Sequence, residues 1–343
     1  MNTKLLLEIF KIPSMSHHEE VMANFIKDKL DEYGILYKQD SSGNIYNTTH
    51  DNKPLLCSHI DTVQDEHDTL LTDFIKIRNN YISGYGVIGG DDKCGIYIIL
   101  ETLKDRKDIN FLFCVQEEIG GAGSADWILG RRLDNILYGL VLDRTGNSDI
   151  ICTRNDYGVK EFEVFLHEIG KGFGYSPASG MFSDADRLNE LISCANLSVG
   201  YYSAHSKQEF VSLIDLENAY KFVNTIISHV GEKFEKPTIS KAKWQSYRNG
   251  VWYEDDDIYP ISSSNYWKRA AKEERANDIL DSGYGMTMTD IECACCGVQT
   301  KTHYFASIQD FLCQSCIQVL KNEIEEAEEE INMSEAEEAC WNL

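Results

Sequence analysis

Four apolar runs in the first two thirds of the chain each hand over to a residue that can hold a metal. Leu55-Leu56-Cys57-Ser58 leads into His59, and Phe111–Val115 into Gln116-Glu117-Glu118. Leu137–Leu142 ends at Asp143, and His205 comes shortly after Leu197–Tyr201. Short apolar runs bounded by polar and turn residues read as strands buried on both faces. Such strands need helices against both sides of their sheet.

Helical signals alternate with these runs. Ser16 and Glu19 have capping-box spacing, Val21, Phe25, Ile26 and Leu30 make one apolar face, and Gly34 stops the helix. Gly95–Leu103, Ala122–Leu129 and Asp184–Ile192 read as helices, and Leu213–His229 as a long helix with a wide apolar stripe. A hairpin is expected over Phe74–Ser83, turning at Asn79-Asn80, and Glu161–Leu166 alternates as a strand does. The expected fold is α/β: a three-layer α/β/α arrangement with a mixed, mostly parallel central sheet.

In such sheets ligands bind at the carboxyl ends of strands. His59, Asp61, Asp91, Glu117, Glu118, Asp143 and His205 fall there, at or just after apolar runs or the Gly89-Gly90 turn. A hydrolase with two adjacent metals needs a bridging carboxylate, further ligands on each ion and a free base for the attacking water. Asp, Glu and His suit zinc, manganese or cobalt. Adjacent Glu117 and Glu118 can divide the work, one coordinating and one taking a proton. His59-x-Asp61 suits an imidazole ligand with a carboxylate behind it. Taken singly, each residue is more often a cap or a surface acid; the ordered set carries the reading.

The bulk properties narrow the classes. Of 343 residues, 43% are hydrophobic and 26% charged, as in ordinary globular proteins. No apolar stretch is long enough to span a bilayer and the start lacks a signal-peptide pattern, so no membrane association and a cytoplasmic location are expected. A net charge of -24 argues against gripping nucleic-acid phosphates. From Asp281 to Leu343 there are 13 Asp/Glu against two Lys, which puts -11 in that tail and -13 in the remainder.

The words Ser58-His59-Ile60-Asp61-Thr62-Val63, Gly90-Asp91-Asp92-Lys93-Cys94-Gly95, Gln116-Glu117-Glu118-Ile119-Gly120 and Ser203-Ala204-His205-Ser206, followed by Glu209-Phe210-Val211, occur in one order. They resemble the co-catalytic di-zinc exopeptidases, which include bacterial leucine-type aminopeptidases, peptidase T and deacylases built on the same catalytic domain. The resemblance covers roughly Leu5 to His229. It implies two metal ions, zinc or else manganese or cobalt. Asp91 would bridge them, with His59 and Asp143 completing one site and Glu118 and His205 the other. It implies Glu117 as general base, Asp61 as the residue orienting His59, and a cis peptide at Asp91-Asp92.

Spacing refines the resemblance. The gap from Asp143 to His205 is too short for the lid-like domain of the dimeric deacylases and peptidase T, and the gap from His59 to Asp91 holds only a hairpin, not the small barrel of another branch. A compact aminopeptidase layout is expected, and Asp at 143 leans the same way. The expected function is hydrolysis of a peptide or small amide by a di-metal-activated water. An N-acyl amino acid deacylase or dipeptidase on the same fold is the alternative. A non-catalytic binding protein is a further one, against which the presence of Glu117 argues.

A second metal signal lies near the end. Cys293-x2-Cys296 and Cys313-x2-Cys316 have the spacing of a tetrahedral four-cysteine site for one structural zinc. Cys295 and His303 are alternative ligands, and the remaining reading is four unlinked free thiols. The expected organisation is a catalytic domain over 1–236, a linker with a short helix over 237–285, a zinc-ribbon-like module over 286–320 and an acidic helical tail over 321–343. The module is a candidate docking surface for a protein partner.

Overall fold

The computed structural model describes residues 1–229 and 233–237, and the backbone of strands at 245–248, 251–254, 287–292, 299–305 and 310–313. Helices α1 (Thr3–Phe10) and α2 (Glu20–Tyr33) lead into β1 (Lys38–Gln39), β2 (Ile45–Asn47) and β3 (Lys53–His59). Helix α3 (Glu66–Leu70) and the hairpin β4 (Lys76–Arg78) and β5 (Tyr81–Ser83) precede α4 (Gly90–Asp105). Then come β6 (Asn110–Cys114), α5 (Ala122–Ile128), β7 (Ile136–Arg144) and β8 (Asp149–Ile151). Helix α6 (Lys160–Gly170), β9 (Ser176–Ala178), α7 (Ala185–Leu188) and β10 (Cys194–Ser198) follow. The short β11 (Tyr201–Tyr202) and β12 (Phe210–Ser212) lead into α8 (Leu213–Ser228).

Eight strands form one sheet in the order β1-β2-β6-β3-β7-β10-β8-β9. Its centre is parallel: β3 pairs with β6 and β7, and β7 with β10. The pairs β1–β2, β2–β6 and β8–β10 are antiparallel, while β8–β9 is parallel. Alternate residues of the central strands serve two cores. Leu56, Phe111, Phe113, Leu140 and Leu142 pack with α1, α2, α4, α6 and α8. Leu55, Cys57, Leu112, Cys114 and Val141 pack with Trp127 of α5 and Leu188 of α7. Each fully buried Leu or Phe contributes about 1.5–3 kcal/mol, so these two faces hold the sheet. The expected three layers and mixed sheet are present in the described residues.

Helix α4 lies close over β7. A Cβ added at Gly95 would come 2.4 Å from the Leu142 carbonyl oxygen and 2.5 Å from Asp92 Oδ2, so only glycine permits this approach. The contact sets Asp91, in the first turn of α4, beside Asp143 near the end of β7.

The expected hairpin forms β4 and β5, and both turn residues, Asn79 and Asn80, have positive φ (45° and 69°), as a type I′ turn requires. It pairs not with the main sheet but with β12, in a four-stranded sheet ordered β11-β12-β5-β4. Glu161–Leu166 is helical, inside α6. Phe162 and Leu166 alternate with polar residues, but they also sit four apart and are buried on one helix face, leaving Val164 exposed. The strand expected over Leu197–Tyr201 is broken at Gly200, which has φ 91°, and α7 is shorter than expected.

Among the described residues no helix is long and apolar enough to cross a membrane. In the C-terminal part, two strands (Gln245–Arg248 and Val251–Glu254) pair with each other, and three (Thr287–Glu292, Gln299–Phe305 and Asp310–Cys313) form an antiparallel sheet. Cys293, Cys296 and Cys316, the side chain of Cys313, the linker helix and the acidic tail of 321–343 lie outside the described residues.

Candidate metal centre

β3, β6 and β7 lie side by side in the sheet, and their carboxyl ends deliver His59, Glu117-Glu118 and Asp143 to one edge. Asp91 arrives on α4 and His205 on the loop between β11 and β12. His59 Nε2 lies 3.0 Å from Asp91 Oδ1 and 3.5 Å from Asp143 Oδ1. His205 Nε2 lies 3.0 Å from Glu118 Oε1 and 3.3 Å from Asp91 Oδ2. Two donor groups result, His59/Asp91/Asp143 and Asp91/Glu118/His205, each with its ligand atoms within 4.8 Å of one another. Asp91 belongs to both, with one oxygen facing each imidazole. The structure thus brings together all five residues expected as ligands.

The imidazole of His59 is oriented from behind. Its Nδ1 is 2.9 Å from the Asp61 carbonyl oxygen, which can only accept, so Nδ1 carries the hydrogen and Nε2 faces the acids. The Asp61 carboxylate, fully buried, also serves the opposite wall: its Oδ1 accepts from the Glu117 amide at 2.9 Å and its Oδ2 from the Glu118 amide at 3.1 Å. Ser16 Oγ donates to the same Oδ2 at 2.8 Å. Ser16 therefore does not cap α2, whose N-cap Glu19 makes no side-chain cap bond.

Further residues hold the ligands in place. Asn196 of β10 clamps the Asp143 backbone, accepting from its N–H and donating to its carbonyl at 3.1 and 3.0 Å. Buried Glu209 accepts from the amides of Ile88 (2.9 Å), Gly89 (2.8 Å) and Asp91 (3.2 Å), fixing the turn that presents Asp91. Lys93, fully buried, donates towards the Phe10 and Ile88 carbonyls and Gln64 Oε1. The Asp91-Asp92 peptide is cis. Gln116, Ser203 and His205, on the two loops carrying the site, have left-handed φ of 58°, 52° and 63°, an uncommon conformation outside glycine.

Sequence reasoning missed Asn196 and gave Glu209 no role. Asn196 sits inside an apolar strand, where a lone polar residue marks a buried hydrogen-bonding task. Glu209 stood within a recognised word but reads as an ordinary loop acid.

The electrostatics follow from acids crowded out of water. Burial, then the charge of Asp91, holds the Asp143 carboxyl well above its usual range. Burial likewise raises Glu117 strongly, with Asp143 and Glu118 adding repulsion that His59 opposes. Glu118 is pushed up to about 6 by burial and by Asp91. Burial opposes protonation of His205, but its bonds to Asp91 and Glu118 raise it to about 11. Against the same penalty, Asp143, Asp61 and Asp91 lift His59 well above its ordinary value. Asp91 alone among the five is lowered: burial raises it, but bonds to both imidazoles prevail. Crowded carboxylates that repel, sharing Asp91 between two three-atom donor groups, suit two divalent cations in chemistry and arrangement.

The comparisons with known proteins agree with this geometry. The family model for peptidase family M20/M25/M40 matches residues 55–229, 175 of the 343 residues. The uncharacterized protein YqjE of Bacillus subtilis (strain 168) is 29% identical over 173 residues, 43% of this chain and 44% of its own. The chain thus aligns with less than half the length of that relative. Among solved structures, aminopeptidase PepT from Bacillus cereus ATCC 10987 superposes with a TM-score of 0.55 at 17% identity, covering 66% of this chain and 97% of the other. A tripeptidase from Staphylococcus aureus subsp. aureus Mu50 gives 0.54 at 17%, covering 66% and 96%. At this identity the superpositions speak for the α/β fold, while the family model spans the strands, the α4 turn and the loops that carry the site. The chain belongs to peptidase family M20/M25/M40.

Proposed function

We propose that the chain is a two-metal amide hydrolase of the aminopeptidase type, with zinc, manganese or cobalt in the site. The observation that carries the reading is Asp91, which turns one carboxylate oxygen to each of two donor groups, while Glu117 stands beside them outside both. His59 and Asp143 would hold one ion and Glu118 and His205 the other. When bound, the two ions supply Lewis acidity, polarising the scissile carbonyl and acidifying water.

The rest is the work of side chains. Glu117 takes a proton from the attacking water as the new C–O bond forms, and delivers it to the leaving nitrogen as the C–N bond breaks. Its burial suits this shuttle, because a carboxylate raised above its usual range is the stronger base towards the attacking water. Asp61 fixes the Glu117 backbone and the His59 ring together, so base and ligand keep one spacing.

The absence of an intervening domain between Asp143 and His205 supports a compact aminopeptidase rather than a lidded deacylase. A panel of aminoacyl and N-acyl substrates tests this. Hydrolysis that needs a free amino terminus, and is lost when that amine is blocked, is expected. Preference for N-acyl amino acids would instead select the deacylase reading.

A further inference from the structure

Strands β3 and β6 run parallel with His59 opposite Cys114, which brings Cys57 and Cys114 to the same core beneath the strand ends. Their sulfurs are 3.8 Å apart and both thiols are fully buried. Asp184, just before α7, brings a carboxylate to the same point. The ligand atoms of all three lie within 4.8 Å of one another. Asp184 is 1% exposed, and neither of its oxygens receives a hydrogen bond of ordinary geometry. Ser124 and Cys114 are its polar neighbours, and the Ser124 hydroxyl is turned to the Gly121 carbonyl.

We propose that Cys57, Cys114 and Asp184 form a separate metal site for a thiophilic divalent ion such as zinc. With metal–sulfur bonds of about 2.3 Å, two sulfurs of a tetrahedral site stand roughly 3.8 Å apart. Two thiols in simple contact reach a similar separation, so the distance permits an ion without requiring one. The buried carboxylate, to which Ser124 and Cys114 make no hydrogen bond of ordinary geometry, favours a cation there, since a buried acid served so weakly is otherwise unfavourable. On binding, each thiol releases its proton to solvent, and two thiolates, one carboxylate and a dication sum to a single negative charge. The ion would tie β3, which ends at His59, and β6, which leads into the Glu117 loop, to the segment before α7. It would differ from the di-metal centre in kind, because that centre offers only nitrogen and oxygen donors.

Cobalt(II) substitution in the full-length chain tests the proposal, since thiolate ligation produces a near-ultraviolet charge-transfer band that nitrogen and oxygen ligands do not. The background is a variant with Cys293, Cys296, Cys313 and Cys316 all changed to Ser. A thiolate–cobalt band is expected there, removed by Cys57→Ala with Cys114→Ala, and Asp184→Asn should weaken cobalt binding at this site about tenfold or more. A cobalt-loaded background chain with no thiolate band would overturn the site, and so would a disulfide between Cys57 and Cys114. Should the four-serine background not fold, the otherwise wild-type chain serves. There, Cys57→Ala with Cys114→Ala should remove part of the band, roughly a third if the tail cysteines also ligate, and an unchanged band would refute the site.

Discussion

The carboxylate of Asp61 accepts the Glu117 amide hydrogen at 2.9 Å, so the proposed base hangs on the residue that also orients His59. The Asp61 carboxyl is held below its usual range: burial raises it, but its bonds to His59, Ser16 and the Glu117 amide prevail. One buried acidic residue thereby sets the spacing between a ligand at the end of β3 and a base in the loop after β6, through its backbone carbonyl on one side and its carboxylate on the other.

Replacing that carboxylate should cost more than a hydrogen bond. Asp61→Asn keeps the size but offers one acceptor oxygen where two now serve the Glu117 and Glu118 amides. We expect a fall of about 10- to 100-fold in metal affinity or turnover. Competition titration with a chromophoric chelator, alongside steady-state rates, measures both.

Ser16→Ala isolates the outermost support. It removes one hydroxyl from Asp61 Oδ2 and leaves both amide bonds, so the loss should be about 1–3 kcal/mol of stability, with a milder loss of activity than Asp61→Asn. Denaturant unfolding of the metal-free proteins reads the difference.

The α/β layers and the five proposed ligands were legible because strand burial on both faces writes unbroken apolar runs, and the site residues punctuate their ends. Less legible were residues whose task depends on a distant partner. Ser16 has the spacing of a helix cap, yet its hydroxyl reaches 45 residues ahead to Asp61. Glu209 reads as one acid among many, yet it closes the turn before Asp91 from 118 residues away. Glu161–Leu166 looked extended because alternation and helical spacing coincide over six residues. Cys57 and Cys114 read singly as small hydrophobes, and only the register of β3 against β6 joins them.

Glu209 makes stability depend on pH in the metal-free protein. Burial lifts it to about 7 from an ordinary 4.5, so between those values the folded chain holds a proton that the unfolded chain has lost. Its contribution is complete below about pH 4.5 and is lost as pH rises through about 7. Unfolding midpoints of metal-free protein should therefore fall over that window. Glu209→Gln should flatten the fall while lowering stability throughout, because one amide oxygen replaces two carboxylate oxygens that serve three backbone N–H groups.

Metal removal should destabilise as well as inactivate. A chelator strips cations from a cluster of mutually repelling buried acids. Restoring zinc at 100 times its dissociation constant should return about 2.7 kcal/mol per independent site. Thermal scans with and without chelator, followed by re-addition of zinc, manganese or cobalt, also rank the metals by recovered activity.

The central claim is that Glu117 moves the proton while the five ligands hold the ions. Steady-state amide hydrolysis by wild type and Glu117→Gln, with metal content measured on the same samples, tests it most directly. Equal metal content and a rate lowered by about 10²- to 10⁴-fold in Glu117→Gln are expected. Equal metal content with equal turnover would contradict it.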